Sequence, residues 1–336
     1  GSFVVDLMAR TPSLPIPGET VKGSMFKMGA GGKGFNQCVA AHKAGADVVM
    51  CTKLGKDTFA DVALNTMTEL NMPKDYIFTD DTLATGIALI LVDENTAQNE
   101  IVIVSGACGN ITDADIAKVA PRIKESEYIL LQLEVNQDAN EKVAKMAKDA
   151  GVKVIVNTAP YQPVTAEFLS GCYLVTPNEV EAELMTGVHV EDLESAKKAA
   201  EVFRAKGVAN VLITLGGMGV FVSSEGREEI IPAYHVDAID TTGAGDAFNG
   251  GLLAALSEGK PLWEAAAFAN ALAALSVQKL GTTPSMPTRA EIDAFLEKLV
   301  FGGQRQAVET RIRPLDTPRK PKDFKITDYI DANYGH

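Results

Sequence analysis

The chain has 336 residues, 46% hydrophobic and 22% charged, with 44 Asp and Glu against 31 Lys and Arg for a net charge of −13. That length supports one large α/β domain or two ordinary ones with an ample core, and the composition excludes wholesale disorder and collagen-like repetition. A surface that neutralises nucleic-acid phosphates is not expected of so acidic a chain.

Cys38, Cys51, Cys108 and Cys172 are far apart, without the short paired spacing of a zinc site or a disulfide framework, so a reducing, cytoplasmic setting is expected. His42, His189, His235 and His336 form no ligand cluster. The charge-free stretch Ala265–Gln278 falls short of the roughly 20 residues a membrane span needs, and no membrane partner is expected.

In chain order, Gly1-Ser-Phe-Val-Val-Asp6 reads as a strand already under way, with no initiator Met, so missing targeting signals weigh little. Thr11–Met28 is rich in turn residues, with Pro12, Pro15, Pro17 and Gly18. Thr85–Ser105 reads as a β-hairpin, two apolar runs around the polar Asp93–Asn99. Together these segments, about residues 8–30 and 85–105, are expected to form a small separate sheet that acts as a lid and excludes water. Apolar runs at Asp47–Leu54, Tyr128–Leu133, Val152–Asn157, Gly171–Val175 and Val208–Leu215 alternate with helical patterns such as Asn136–Ala150 and Asp192–Lys206. This is the signature of βαβ units and a mainly parallel sheet, hence an α/β body.

Further helices are expected at Gly245–Ser257, Leu262–Lys279 and Arg289–Leu299, the last announced by the capping-box spacing Thr288-Arg-Ala-Glu291. A domain of residues 1–300 would then be followed by a C-terminal extension, 301–336, holding Pro314, Pro318 and Pro321 among seven Lys or Arg and five Asp or Glu. It reads as a surface-draped or partly disordered tail, or else as a partner-binding arm carried by Phe324, Tyr329, Ile330 and Tyr334.

Two glycine-bearing turns carry the chemistry. In Asp240-Thr-Thr-Gly-Ala-Gly-Asp-Ala-Phe-Asn-Gly-Gly251, the turn Gly243-Ala244-Gly245 ahead of a helix lets backbone N–H groups converge on an anion. Asp246 falls in the first helical turn, where a carboxylate can take a proton from an attacking hydroxyl, or can simply complement the helix dipole. The second turn, Met28-Gly-Ala-Gly-Gly-Lys-Gly-Phe-Asn-Gln37, contains G-x-G-x-x-G at Gly29, Gly31 and Gly34. The lid-like segment before it and the early Asp47 argue against a dinucleotide fingerprint, and no P-loop aligns. What remains is a backbone-rich surface with Lys33 and Asn36 projecting, suited to a polyhydroxylated ligand.

In order and spacing, Gly31-Gly-Lys-Gly-Phe-Asn-Gln37 and Asp240-Thr-Thr-Gly-Ala-Gly-Asp246 resemble the ribokinase-type (PfkB) family of carbohydrate kinases over about residues 1–300. The opening Gly1–Asp6, Pro17-Gly-Glu-Thr20 and the Gln37 that follows Asn36 are most similar to its ribose-phosphorylating members. The resemblance implies a three-layer α/β/α fold with a mainly parallel central sheet and a small β-sheet lid, and ATP-dependent phosphorylation of D-ribose at the 5-hydroxyl. Deoxyribose, fructose or adenosine as acceptor, a dehydrogenase, and a sugar-binding protein without catalysis are the alternatives.

It implies Asp6, Gly31, Gly32, Lys33, Asn36 and Glu134 as sugar ligands, Asp246 as base, and Gly243, Ala244 and Gly245 as the cradle for transition-state charge. It implies Asn178, Thr214, Gly216, Gly219, Gly245 and Asn270 around ATP. Asn178 and Glu181, in Thr176-Pro-Asn-Glu-Val-Glu181, would organise Mg²⁺ indirectly, although their spacing is equally a helix-capping pattern. A monovalent cation, K⁺, is implied at Asp240, Thr242, Ser276, Lys279, Gly281 and Ser285. The family commonly has Gly-Ala-Asn where this chain reads Gly106-Ala-Cys108, which removes a polar group from that loop. The strand edges of the lid point to a homodimer formed through it.

Overall fold

Residues 1–96 and 98–301 are described by the computed structural model of the chain. The chain divides into two units, 1–295 and 296–336, and beyond Phe301 the expected extension lies outside the described residues. In chain order the elements are β1 (Val4–Thr11), β2 (Met25–Gly31), α1 (Lys33–Lys43), β3 (Thr52–Leu54), α2 (Thr58–Glu69), β4 (Ile77–Thr79), β5 (Thr85–Asp93) and β6 (Asn99–Gly106). There follow α3 (Asp113–Glu125), β7 (Tyr128–Gln132), α4 (Gln137–Asp149), β8 (Lys153–Asn157), α5 (Ala166–Leu169), β9 (Leu174–Val175), α6 (Glu179–Thr186) and α7 (Leu193–Ala205). The last are β10 (Asn210–Thr214), β11 (Val220–Ser224), β12 (Arg227–Ile231), α8 (Ala244–Ser257), α9 (Leu262–Ser276) and α10 (Arg289–Phe301).

The larger sheet runs β12-β11-β10-β9-β8-β7, with β7 to β10 parallel and β11 and β12 added antiparallel. Its parallel strands read as continuous apolar runs because helices cover both faces. Helix α8 packs against both α1 and α9, while α4 and α7 lie against β8 and β10. The core between them contains Val154, Val156, Val211, Ile213, Phe203 and Phe221, each 1% exposed or less.

The smaller sheet, β2-β1-β5-β6, mixes antiparallel pairs with the parallel pair β1–β5. The expected hairpin is β5–β6. The expected separate sheet differs in one respect: Val4 and Val5 at the start of β1, already paired with β2 and β5, are buried core residues, so this end of the smaller sheet is anchored in the core. Alternation along the strands puts Asp6, Ala88 and Ile103 in one register row on one face, and Met28, Leu7, Leu89 and Val102 in a row on the other.

Two expected strands are shorter than their apolar runs. Only Thr52–Leu54 of Asp47–Leu54 pairs, with β4, because Val48–Cys51 face the free edge of β7 across a cavity of about 460 Å³. In Gly171–Val175 only Leu174 and Val175 pair, since Gly171 sits at φ 75°, outside strand geometry. The long helix expected to Lys279 stops at Ser276. At the root of the smaller sheet, buried Lys53 on β3 lies 2.9 Å from Asp115 and 3.5 Å from Asp80. Asp80 in turn accepts the N–H groups of Thr82 and Leu83 and so fixes the turn into β5.

Candidate active site

Helix α8 begins at Gly243, which caps it at φ 78° in the left-handed region that glycine enters without strain. In the following turn the Ala244 N–H donates to the Thr241 carbonyl at 3.2 Å; the other early N–H groups are the orphan donors of the helix, and the macrodipole adds positive potential there. Asp246, one turn in, is 7% exposed and turns inward to α1. Asn36 Nδ2 donates to its Oδ2 at 3.0 Å, and Gln37 Nε2 to its Oδ1 at 2.9 Å. Burial pushes the Asp246 carboxyl up, while Lys33 and the Gln37 and Asn36 amides oppose that rise.

A buried amide network holds this pair. Gln37 Nε2 also donates to Asn157 Oδ1 (2.9 Å), and Gln132 Nε2 donates to Gln37 Oε1 (2.6 Å). Asn157 Nδ2 donates to the Thr176 carbonyl, Thr176 Oγ1 to Asn249 Oδ1, and Asn249 Nδ2 to the Gly245 carbonyl. The chain of bonds therefore runs from α1 through the strand ends and back to the Gly243–Gly245 turn. Gln37, Gln132, Asn157, Thr176 and Asn249 are supporting residues that the sequence reading did not assign. Their signal is a polar residue closing an apolar run, as in Leu130-Leu-Gln132 and Val154-Ile-Val-Asn157, at the carboxyl ends of parallel strands where ligands bind.

Residues that the resemblance assigns to the sugar gather at the same place. Glu134 Oε2 accepts the Lys33 backbone N–H at 2.9 Å and the Ser2 hydroxyl, whose oxygen accepts the Gly34 N–H. Asp6 packs so close to Gly31 that a Cβ there would fall 2.3 Å from its Oδ1, which is why that position is glycine. At Gly32, φ is 90°. Burial lifts the Asp6 carboxyl to about 6, helped by the charges of Glu134 and Asp246 and opposed by a hydrogen bond from Thr282. Cys108 is buried and engages the Ser105 carbonyl.

The G-x-G-x-x-G match does not build a dinucleotide turn. Gly29 and Gly31 lie in β2, an antiparallel strand of the smaller sheet, and Gly34 lies inside α1.

Asn178 and Glu181 form a reciprocal capping box on α6, Asn178 Oδ1 accepting the Glu181 N–H and Glu181 Oε2 the Asn178 N–H. Asn178 also bridges in parallel to Thr214, at the end of β10. Burial pushes Glu181 up, against the Lys33 charge. After β10 the chain turns through Gly216 (φ 53°) and Gly219 (φ 110°). A Cβ at Gly219 would lie 2.1 Å from the Ile231 carbonyl oxygen. Asn270 is buried and spends both amide contacts on the Ile231 and Pro232 carbonyls, so it holds the loop after β12.

Asp240 accepts the N–H groups of Thr242 and Gly281, each at 2.9 Å, which brings segments 240–242 and 276–285 side by side. Ser285 Oγ donates to the Thr282 carbonyl and Ser276 Oγ to the Ala273 carbonyl. The Lys279 ammonium is directed to Glu291, so only its main chain is left to serve that loop.

Residues 1–289 match the pfkB family of carbohydrate kinases. The chain is 43% identical over 297 residues to a ribokinase of Haemophilus influenzae, covering 88% of this chain and 97% of that one. It is 34% identical to a deoxyribokinase of Salmonella typhi with the same coverage. A solved ribokinase of Arabidopsis thaliana, complexed with ribose and ATP, superposes with a TM-score of 0.82 at 31% identity, over 88% of this chain and 97% of that one. The two glycine-bearing turns, joined by Asn36 and Asp246 and set at the carboxyl ends of a mainly parallel sheet, thus belong to a member of the pfkB carbohydrate kinase family.

Proposed function

We propose that the chain transfers the γ-phosphoryl group of ATP to the 5-hydroxyl of D-ribose, giving ribose 5-phosphate and ADP. The single observation that carries this reading is the meeting of Asn36 and Asp246 at 3.0 Å, which joins a polar, glycine-lined surface to the anion-binding start of α8.

Asp6, Gly31, Gly32, Lys33, Asn36 and Glu134 hold the sugar, supplying carboxylate acceptors and amide and ammonium donors at close backbone approach. The Asp246 carboxylate takes the proton of the 5-hydroxyl as that oxygen bonds to the γ-phosphorus. The bond from phosphorus to the β–γ bridging oxygen breaks, and its electron pair leaves with ADP. N–H groups of Gly243, Ala244 and Gly245 face the charge that develops, so positioning and electrostatics supply most of the catalysis. The turns at Thr214, Gly216 and Gly219, with Asn178, Gly245 and Asn270, frame the nucleotide.

Mg²⁺ fits beside Asn178 and Glu181: Glu181 Oε2 is occupied by its cap, and among the described residues no hydrogen bond reaches Oε1. That suits an ion held through water and phosphate, where it neutralises phosphate charge. A monovalent cation, K⁺, fits the oxygen-rich seam of Asp240, Thr242, Ser276, Lys279, Gly281 and Ser285 that the Asp240–Gly281 bond closes.

Residues 8–30 and 85–105 act as the lid of a kinase domain comprising residues 1–300. The apolar row Met28, Leu89 and Val102, 45–58% exposed, supports a homodimer formed through this sheet. The free cysteines Cys38, Cys51, Cys108 and Cys172 suit the cytoplasm, and no described helix is long and apolar enough to cross a membrane.

An assay of ADP release with ribose, deoxyribose, fructose and adenosine, with and without K⁺, tests the reading. Ribose is expected to be the best acceptor; faster turnover of another sugar overturns that choice. Tight NAD(H) binding without ATP binding would overturn the kinase reading itself.

A further inference from the structure

The loop between α9 and α10 reaches across to α1. Thr283, 7% exposed, places its Oγ1 3.0 Å from Asn36 Oδ1 and 3.2 Å from the Ala30 carbonyl oxygen. Asn36 is 4% exposed, so its amide finds few other partners. With Oδ1 engaged by the Thr283 hydroxyl, the other end of the amide, Nδ2, is the end that faces Asp246 Oδ2. The neighbouring Thr282 hydrogen-bonds Asp6, and its Cγ2 would be 3.3 Å from a Cβ on Gly243. Asp240 fastens the start of the same loop through the Gly281 N–H.

We infer that Thr283 is a positioning residue for the reaction: its hydroxyl fixes the Asn36 amide so that Nδ2 donates to Asp246, and it thereby ties the alignment of the base to the seat of the 279–285 loop. This rests on Asp246 being the base in the proposed transfer. A hydroxyl is required at 283 because a methyl in its place leaves Asn36 Oδ1 buried without a donor, and the amide then loses its preferred orientation. The charged groups around Asp246 are Lys33, Glu134, Asp6 and Glu181. None of them changes when Thr283 is replaced, so a shift in the titration of Asp246 reports on the Asn36 donor.

The test compares Thr283→Val with Thr283→Ser in the full chain, using pH profiles of kcat and kcat/KM. Ribose-dependent ADP release by the unsubstituted chain is measured first; its absence would count against the acceptor and leave the comparison to be run on whichever sugar is turned over. Thr283→Val is expected to lower kcat about tenfold with the KM for ATP unchanged, and to move the acidic limb to higher pH by about half a unit, because a lost donor disfavours the carboxylate. Thr283→Ser restores both. In an Asn36→Leu background the Thr283→Val loss disappears, since the two act through one contact. A Thr283→Val enzyme with unchanged kcat and acidic limb overturns the inference. So does an undiminished loss in the Asn36→Leu background. If Thr283→Val does not accumulate as folded protein, Thr283→Ala is measured against the same expectations.

Discussion

Asn36 Nδ2 and Asp246 Oδ2, 210 positions apart in the chain, lie 3.0 Å from each other, and Gln37 Nε2 reaches the other carboxylate oxygen at 2.9 Å. Both oxygens of this carboxylate are thus fixed by amide donors. Asp246→Asn places an NH₂ group against one of those donors and removes the proton acceptor. It should lower kcat by about 10²–10⁴-fold while ATP binding, measured by calorimetry, stays within a few-fold. Near-normal turnover would remove Asp246 from its role.

Asp6 yields a pH prediction whose sign is unusual for a carboxylate. Its pKa stands at about 6 in the fold against 3.8 ordinarily, because burial and the neighbouring Glu134 and Asp246 disfavour its charge. The stability it contributes is present below 3.8 and is lost as pH rises through about 6. Asp6→Asn should therefore be more stable than the unsubstituted chain at pH 8, by no more than about 3 kcal/mol, with the difference vanishing below pH 4. Urea titrations at both pH values measure this. The same substitution raises the KM for sugar, since an amide offers fewer acceptor sites to hydroxyls. In the unsubstituted chain that KM climbs as pH falls through about 6.

Lys53 serves two buried carboxylates, those of Asp115 and Asp80. Lys53→Met keeps the length of the side chain and leaves both acids without their cation, which costs about 3–5 kcal/mol. A thermal melt would register this as a clear fall in Tm. Because Asp80 shapes the turn into β5, limited proteolysis should find its first new cuts near residues 80–85.

On the outer face of the smaller sheet, Val102 is 58% exposed in a row with Leu89 and Met28. Val102→Lys places a charge in the middle of that row. Sedimentation equilibrium is expected to show a dimer for the unsubstituted chain and a monomer for the variant, with melting of the subunit little changed because Val102 is not part of the core.

Much of the fold is legible in the sequence because its parallel strands are continuous apolar runs and its helices carry their own start signals. Thr288 and Glu291 cap α10 as their spacing indicates, and Asn178 and Glu181 form the capping box that their spacing also allowed. The site is legible where glycine is obligatory: Gly31 under Asp6, and Gly243 at φ 78°. Illegible were the amides that hold Asp246 in place. Gln132 and Asn157 are single polar residues at strand ends, and nothing local says that they meet Gln37 until α1, β7 and β8 are packed together. The apolar runs overreach the paired strands at Val48–Cys51 and at Gly171 for a related reason: apolarity records burial, while a ladder needs a partner and a permitted φ.

Asp6 stands on β1, which is paired along its whole length in the sheet of Met28, Leu89 and Val102 and whose first residues, Val4 and Val5, are buried in the core. That sheet is therefore no detachable module. Grafting another protein's version of it would replace Asp6 along with the exposed surface. One residue inserted in β1 ahead of Val5 would turn the Asp6 carboxylate to the face of Met28, Leu89 and Val102 and bring Val5 to the face it leaves.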